Sequence, residues 1–202
     1  MTRLSRIAMS LLVVAFAVAG CAGQPSGSGW VNLIDGDKGL ENFNRVGDAN
    51  WRAEGGAIVA DKGKGGHLVT KNSYKDFVIR AEFWAATNTN SGIFIRATDP
   101  NKIGSVSAYE VNIYDQRPDP IYGTGGIVGV ASVNPMPKAG GKWNVMEITA
   151  RGPELTVVLN GAVTAHARDT KFPQGPFSLQ FGNNGKEPGG PIKWRRVDVK
   201  PL

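Results

Sequence analysis

From Trp30 to Leu202, apolar residues recur at every second position over short runs, and Gly, Pro, Asn and Asp interrupt them. Side chains of an extended strand point alternately to two faces, so the pattern predicts half-buried β-strands. It predicts them at Val31–Leu33, Trp51–Glu54, Ala57–Ala60, His67–Thr70, Asp76–Ala85, Ser91–Ala97, Tyr109–Tyr114, Trp143–Arg151, Glu154–Leu159, Ala162–Ala167, Phe177–Phe181 and Lys193–Lys200. In Phe77–Trp84 the set Phe77, Ile79, Ala81 and Phe83 is apolar and reads as core, while Val78, Arg80, Glu82 and Trp84 form a mixed face. Phe177, Leu179 and Phe181 point inward by the same rule, Ser178 and Gln180 outward. Glu54-Gly55-Gly56-Ala57 and Asn160-Gly161 suit tight hairpins, which need positive φ values. Neither a repeat nor a change of composition divides residues 30–202, so one all-β domain of two stacked antiparallel sheets is expected, a sandwich or jelly roll.

Polar residues interrupt this pattern most regularly between Asn88 and Asp115. In Tyr109–Asp115, Glu110, Asn112 and Tyr114 share one face, and Tyr109, Val111, Ile113 and Asp115 the other. In Ile93–Arg96, Phe94 and Arg96 are expected to share a face. If the two strands are neighbours, one register sets Arg96 beside Glu110 and Asn112, a cation, a carboxylate and an amide suited to a polyol. Glu82, Trp84 and Gln180 could converge on the same concave surface. The same residues also allow blander readings. Arg96 and Glu110 can be a cross-strand salt bridge, Asn90-Ser91-Gly92 a turn opening a strand, and Trp84 an edge cap. The long loop from Gln116 to Lys142 reads as a wall of the site, or as a cover in which Tyr122 closes the sandwich edge.

Residues 1–21 carry Arg3 and Arg6, an apolar run from Ile7 to Ala19, and Val18-Ala19-Gly20-Cys21. That order is a signal peptide's, and the run is short for a membrane span, which needs roughly 20 apolar residues. Val-Ala-Gly-Cys resembles the bacterial lipobox, with Cys21 as the lipid attachment point. The expectation is an acyl-tethered protein of the bacterial cell envelope, in the outer membrane or periplasm, with residues 22–29 as a flexible tether. Cys21 is the only cysteine, so the chain has no internal disulfide.

The net charge of +6 falls to about +4 once Arg3 and Arg6 are removed. The excess is scattered, which argues against a nucleic-acid partner. The two histidines, His67 and His166, lie far apart without partners at ligand spacing, so no metal or other cofactor is expected. Calcium held by loop Asp and Asn residues stays open.

Several segments resemble, in order, the 3-keto-disaccharide hydrolase family: Trp30…Leu33 with Asp35-Gly36, Trp51…Gly55-Gly56, Asn90-Ser91-Gly92-Ile93-Phe94-Ile95-Arg96, Tyr109-Glu110-Val111, Asp115, Thr124-Gly125, Trp143-Asn144, Asn160-Gly161 and Leu179-Gln180. The sequence departs from it at Asn112, where the family often has Gln, and at Phe181-Gly182-Asn183-Asn184, where His-Gly often follows Leu-Gln. The resemblance implies a concanavalin A-like jelly roll acting on 3-keto-glycosides as a lyase or hydrolase. A C3 carbonyl acidifies the hydrogen on C2, and the resulting enolate can expel the oxygen at C1. Such chemistry needs a base, an enolate stabiliser and an acid. The expected catalytic residues are Glu110 as base, Arg96 as stabiliser and Asp115 or Tyr109 for the leaving group. Asn90, Ser91, Asn112, Gln180, Thr124 and Tyr109 are expected to bind substrate, and Trp84 to stack on a sugar. A non-catalytic carbohydrate-binding lipoprotein using the same face is the alternative. A two-carboxylate glycosidase built on Glu82 and Glu110 is a third reading and requires a separation of about 5–9.5 Å.

Overall fold

The structure is a computed structural model that describes residues 29–185 and 187–202. The signal segment, the lipidation site Cys21 and the tether up to Ser28 lie outside the described residues.

Among the described residues there are thirteen strands: β1 Val31–Asp35, β2 Phe43–Gly47, β3 Arg52–Ala53, β4 Ile58–Ala60, β5 Gly66–Thr70, β6 Phe77–Ala85, β7 Asn90–Ile95, β8 Tyr109–Tyr114, β9 Trp143–Arg151, β10 Glu154–Leu159, β11 Ala162–Arg168, β12 Ser178–Phe181 and β13 Ile192–Pro201. They form two antiparallel sheets. The larger runs β11-β10-β9-β6-β13-β4-β3, with β1 also along β13, and the smaller runs β2-β5-β12-β7-β8. The expected all-β sandwich is the observed architecture.

Strand β6 is buried at Phe77, Ile79, Ala81, Phe83 and Ala85 and half-buried between them, as its alternation requires. This set meets Leu68, Ile93, Ile95, Val111, Ile113, Leu179 and Phe181 from the smaller sheet in one core. Burial of each large apolar side chain contributes roughly 1.5–3 kcal/mol, so this shared layer fixes which face of every strand looks outward. The two Gly-containing hairpins also form as expected. Gly55 and Gly56 have φ of 62° and 77°, and Asn160 and Gly161 have 50° and 84°.

Two elements differ from the sequence reading. Strand β2 has the sequence Phe-Asn-Arg-Val-Gly, with two weak strand formers and only Phe43 buried, so its alternation is faint. Strand β7 stops at Ile95 because Arg96 takes φ 55°, a left-handed conformation that ends the alternation.

The loop after β8 returns along the open edge of that strand. Gly125 N donates to Asn112 O, Asn112 N to Gly126 O, and Val128 N to Glu110 O. These bonds satisfy the edge that β8 would otherwise leave unpaired.

Candidate functional site

The outer face of the smaller sheet carries two cross-strand rows. One consists of Val46, His67, Gln180, Gly92 and Asn112, in which Val46 pairs with His67, His67 with Gln180 and Gly92 with Asn112. The β12–β7 register, continued to the Asn90–Gly182 bridge, sets Gln180 opposite Gly92. The neighbouring row is Asn44, Val69, Ser178, Phe94 and Glu110. Asn90 stands one step beyond the first row, beside Tyr114.

Over this face opens a cleft of about 530 Å³, with Val46, His67, Asn90, Lys102, Gln180 and Asn183 in its lining. Its walls come from three loops: residues 64–65, residues 101–103, and residues 182–185. Ile103 holds the second wall down by packing on Phe94, Ala97 and Ala108. Asn90 ties the third by donating Nδ2–H to the Asn183 carbonyl at 2.7 Å. On the floor, Gln180 Oε1 is buried and has no hydrogen-bond partner among the described residues. Asn184 Oδ1, on the third wall loop, is likewise unpartnered, while its Nδ2 donates to Asn88 O. An unpaired buried acceptor costs about 1–3 kcal/mol, which a hydroxyl donor from a ligand would recover.

Glu110 lies just beyond Gly92. Its Cγ is 3.7 Å from where a Cβ on residue 92 would stand, so the glycine leaves room for the Glu110 side chain. The Glu110 carboxylate makes no hydrogen bond among the described residues. Desolvation pushes its pKa from 4.5 up to about 7, opposed by the charge of nearby Arg117. The Arg117 guanidinium, on the loop after β8, stands 4.1 Å above the Tyr122 ring, and its charge acts on this carboxylate. His67 is pulled the other way, from 6.5 down to about 4, by burial. Its Nδ1 lies 3.1 Å from Ser178 Oγ, and its ring meets Phe94 edge-on at 5.1 Å. Two titratable groups with opposite perturbations on one face are the pattern expected of acid–base machinery.

Residues 29–200 match the family described as the 3-keto-alpha-glucoside-1,2-lyase-like domain. The chain belongs to this family. Among solved structures, the lyase-like domain is similar to two Parabacteroides distasonis ATCC 8503 proteins, each named "putative glycosyl hydrolase". One is 24% identical with a TM-score of 0.70, over 86% of this chain and 99% of that one. The other is 16% identical with a TM-score of 0.73, over 86% and 94%. The carbohydrate-binding module CBM66 from Bacillus subtilis is similar at 14% identity and a TM-score of 0.55, over 85% and 95%. No curated protein matches the chain.

The lyase-like domain brings Glu110, Asn90 and Gln180 to one face and takes several other expected residues away from it. Arg96 is only 1% exposed and turned inward by its left-handed backbone. Its guanidinium donates to Lys75 O and Gly152 O, both at 2.8 Å, and to Asp76 at 3.2 Å. It clamps loops at the sandwich end and meets neither Glu110 nor Asn112. Tyr109 and Ser91 face the core. Tyr109 donates to Asp169 and accepts from Phe172 N, while Ser91 donates to Gln180 O. The Asp115 carboxylate accepts from Thr124 Oγ and from the amides of Ala139 and Gly140, and Thr124 is fully buried. These two residues anchor the loop after β8. Asn112 does the same, giving Nδ2–H to Tyr122 O.

Trp84 and Glu82 lie on the outer face of the larger sheet. Lys193 stands 5.0 Å above the Trp84 ring, and Glu82 pairs with Arg195 at 2.6 Å. Glu82 and Glu110 therefore face solvent from opposite sides of a sandwich whose sheets are about 10 Å apart before side chains are added, which removes the paired-carboxylate glycosidase. Among the described residues no three His, Cys, Asp or Glu side chains gather as a metal site.

His67 and Arg117 are the residues that sequence reasoning passed over. Strand alternation does turn His67 away from the core, opposite Leu68. Nothing local in the sequence indicates that β5 lies beside β12.

Proposed function

We propose that this domain cleaves 3-keto-glycosides by elimination across C1 and C2, with Glu110 as the base. The observation that supports this reading best is a Glu110 carboxylate with no hydrogen-bond partner among the described residues, pushed to about 7, on a side chain that lies against the side-chain-free position Gly92 near a sugar-sized cleft. A base poised near neutral pH suits removal of a hydrogen from carbon beside a carbonyl.

Glu110 takes the C2 proton, and the C–H electron pair forms the enolate with charge on the C3 oxygen. The enolate collapses to a C1=C2 double bond conjugated with the C3 carbonyl, the C1–O bond breaks, and the proton returns from Glu110 to the departing oxygen. Water then adds across the double bond, so the net change is hydrolysis. Arg117 keeps part of the Glu110 population ionised, and Gln180 Oε1 and Asn90 accept from sugar hydroxyls. Residues 1–21 and Cys21 complete the proposal as a signal peptide and lipid anchor that hold the domain at a bacterial envelope membrane.

A second reading, carbohydrate binding without turnover, is favoured by the unpartnered acceptor at Gln180 on the floor of an open cleft and by the fold shared with CBM66. Incubation of the purified chain with 3-keto-glucosides separates the two. Release of the free aglycone or sugar supports the enzyme, and saturable binding without release supports the binding module.

A further inference from the structure

We infer that His67 is a further site residue, whose neutral imidazole donates its Nε2–H to the carbonyl oxygen of a keto-sugar in the cleft. This assignment deepens the lyase reading and rests on it for the identity of the ligand.

Three observations carry it. His67 lines the cleft and pairs in register with Gln180, whose Oε1 is the unpartnered acceptor on the floor. The imidazole is fixed on two sides, by Ser178 Oγ at Nδ1 and by Phe94 edge-on. Ser178 is fully buried, and its hydroxyl has no other hydrogen bond among the described residues. The hydroxyl proton is therefore satisfied only by donating to Nδ1, since the opposite arrangement would leave a buried O–H unpaired. Nδ1 then accepts, the ring carries its proton on Nε2, and that N–H is the end left for a ligand. Burial keeps the ring uncharged through the neutral range, so it acts as a hydrogen-bond donor rather than a permanent cation.

In the reaction the C3 oxygen gains negative charge as Glu110 removes the C2 proton. An N–H aimed at that oxygen strengthens as the charge develops and lowers the barrier without transferring its own proton. Gln180 beside it reads a neighbouring hydroxyl. A hydroxyl at C3 can accept from the same N–H, so the keto group is set apart by the charge its oxygen gains in the reaction.

The chain has two histidines, so its imidazole nitrogen NMR spectrum can be assigned with a His166→Gln variant. For the full-length chain labelled with ¹⁵N-histidine, the expected result is Nε2 protonated and Nδ1 accepting. Addition of a 3-keto-glucoside should shift the Nε2–H signal and slow its exchange. His67→Phe should lower kcat by about 100-fold, and His67→Gln, whose amide N–H can substitute for Nε2–H, should stay within about tenfold of wild type. A proton on Nδ1, or an Nε2–H indifferent to saturating 3-keto-glucoside, would overturn the assignment. If the wild-type chain cleaves the sugar while Nε2–H stays unmoved, His67 is refuted and the lyase reading stands. If Nε2–H moves but no sugar is released, the lyase reading fails and the donor role is upheld. If the sugar neither moves the signal nor is cleaved, both fall.

Discussion

Glu110 and Gly92 sit on adjacent strands, and the Glu110 Cγ comes within 3.7 Å of the space a side chain on residue 92 would occupy. The same Cβ would stand 2.9 Å from the Val111 carbonyl oxygen, so even alanine forces β7 and β8 apart. Gly92→Ala should cost roughly 1–3 kcal/mol of stability and displace the carboxylate, lowering kcat by roughly 10- to 100-fold. Chemical denaturation and steady-state turnover of a 3-keto-glucoside check the two effects separately.

Arg96 should behave as a structural residue. A buried guanidinium is costly, and here two carbonyls and Asp76 compensate it. Arg96→Met leaves the Lys75 and Gly152 carbonyls without this donor and should cost about 3 kcal/mol or more. Turnover per folded molecule, measured below the melting temperature, should be unchanged, because the side chain never reaches the cleft.

Stability should depend on pH in two opposing ways. The folded-state pKa of Glu110 is raised, from 4.5 to about 7, so its contribution is full below 4.5 and is lost as pH rises through about 7. The folded-state pKa of His67 is depressed, from 6.5 to about 4, so its contribution is full above 6.5 and is lost as pH falls towards 4. Each shift corresponds to roughly 3 kcal/mol, and the two nearly cancel between about pH 4.5 and 6.5. Glu110→Gln should therefore gain stability with rising pH in that window relative to wild type, and His67→Gln should lose it. Urea unfolding at a series of pH values reads both slopes.

Arg117 favours the ionised form of Glu110, so its removal should raise that pKa further. Arg117→Gln is expected to move the acidic limb of the kcat/KM profile to higher pH by a fraction of a unit, since a solvent-exposed charge is well screened. Activity well above pH 8 should be nearly that of wild type. A profile that shifts to lower pH contradicts the role given to this residue.

The alternation of β6, β8 and β12 revealed in the sequence which residues face the core, because a period of two is written locally in each strand. It also put Glu110 and Gln180 on outward faces. It failed at Arg96 because one residue at φ 55° reverses the alternation, and nothing in Ile93-Phe94-Ile95-Arg96 signals that turn. Sheet order was hidden for a different reason. Trp84 and Gln180 each lie on an outward face, but which sheet each strand joins depends on pairings between distant segments such as β5 with β12. His67 stayed invisible as a site residue on the same account. Asp115 and Asn112 were polar for the sake of the loop they hold, and a polar side chain near a site has the same appearance in sequence whether it meets a ligand or a backbone amide.

The most direct measurement is release of free sugar from a 3-keto-glucoside by the purified wild-type chain beside Glu110→Gln, at pH 8. Wild type should release sugar steadily, and the variant should lose at least about 100-fold while keeping its fold and its affinity for the sugar. Equal release by both would contradict Glu110 as the base.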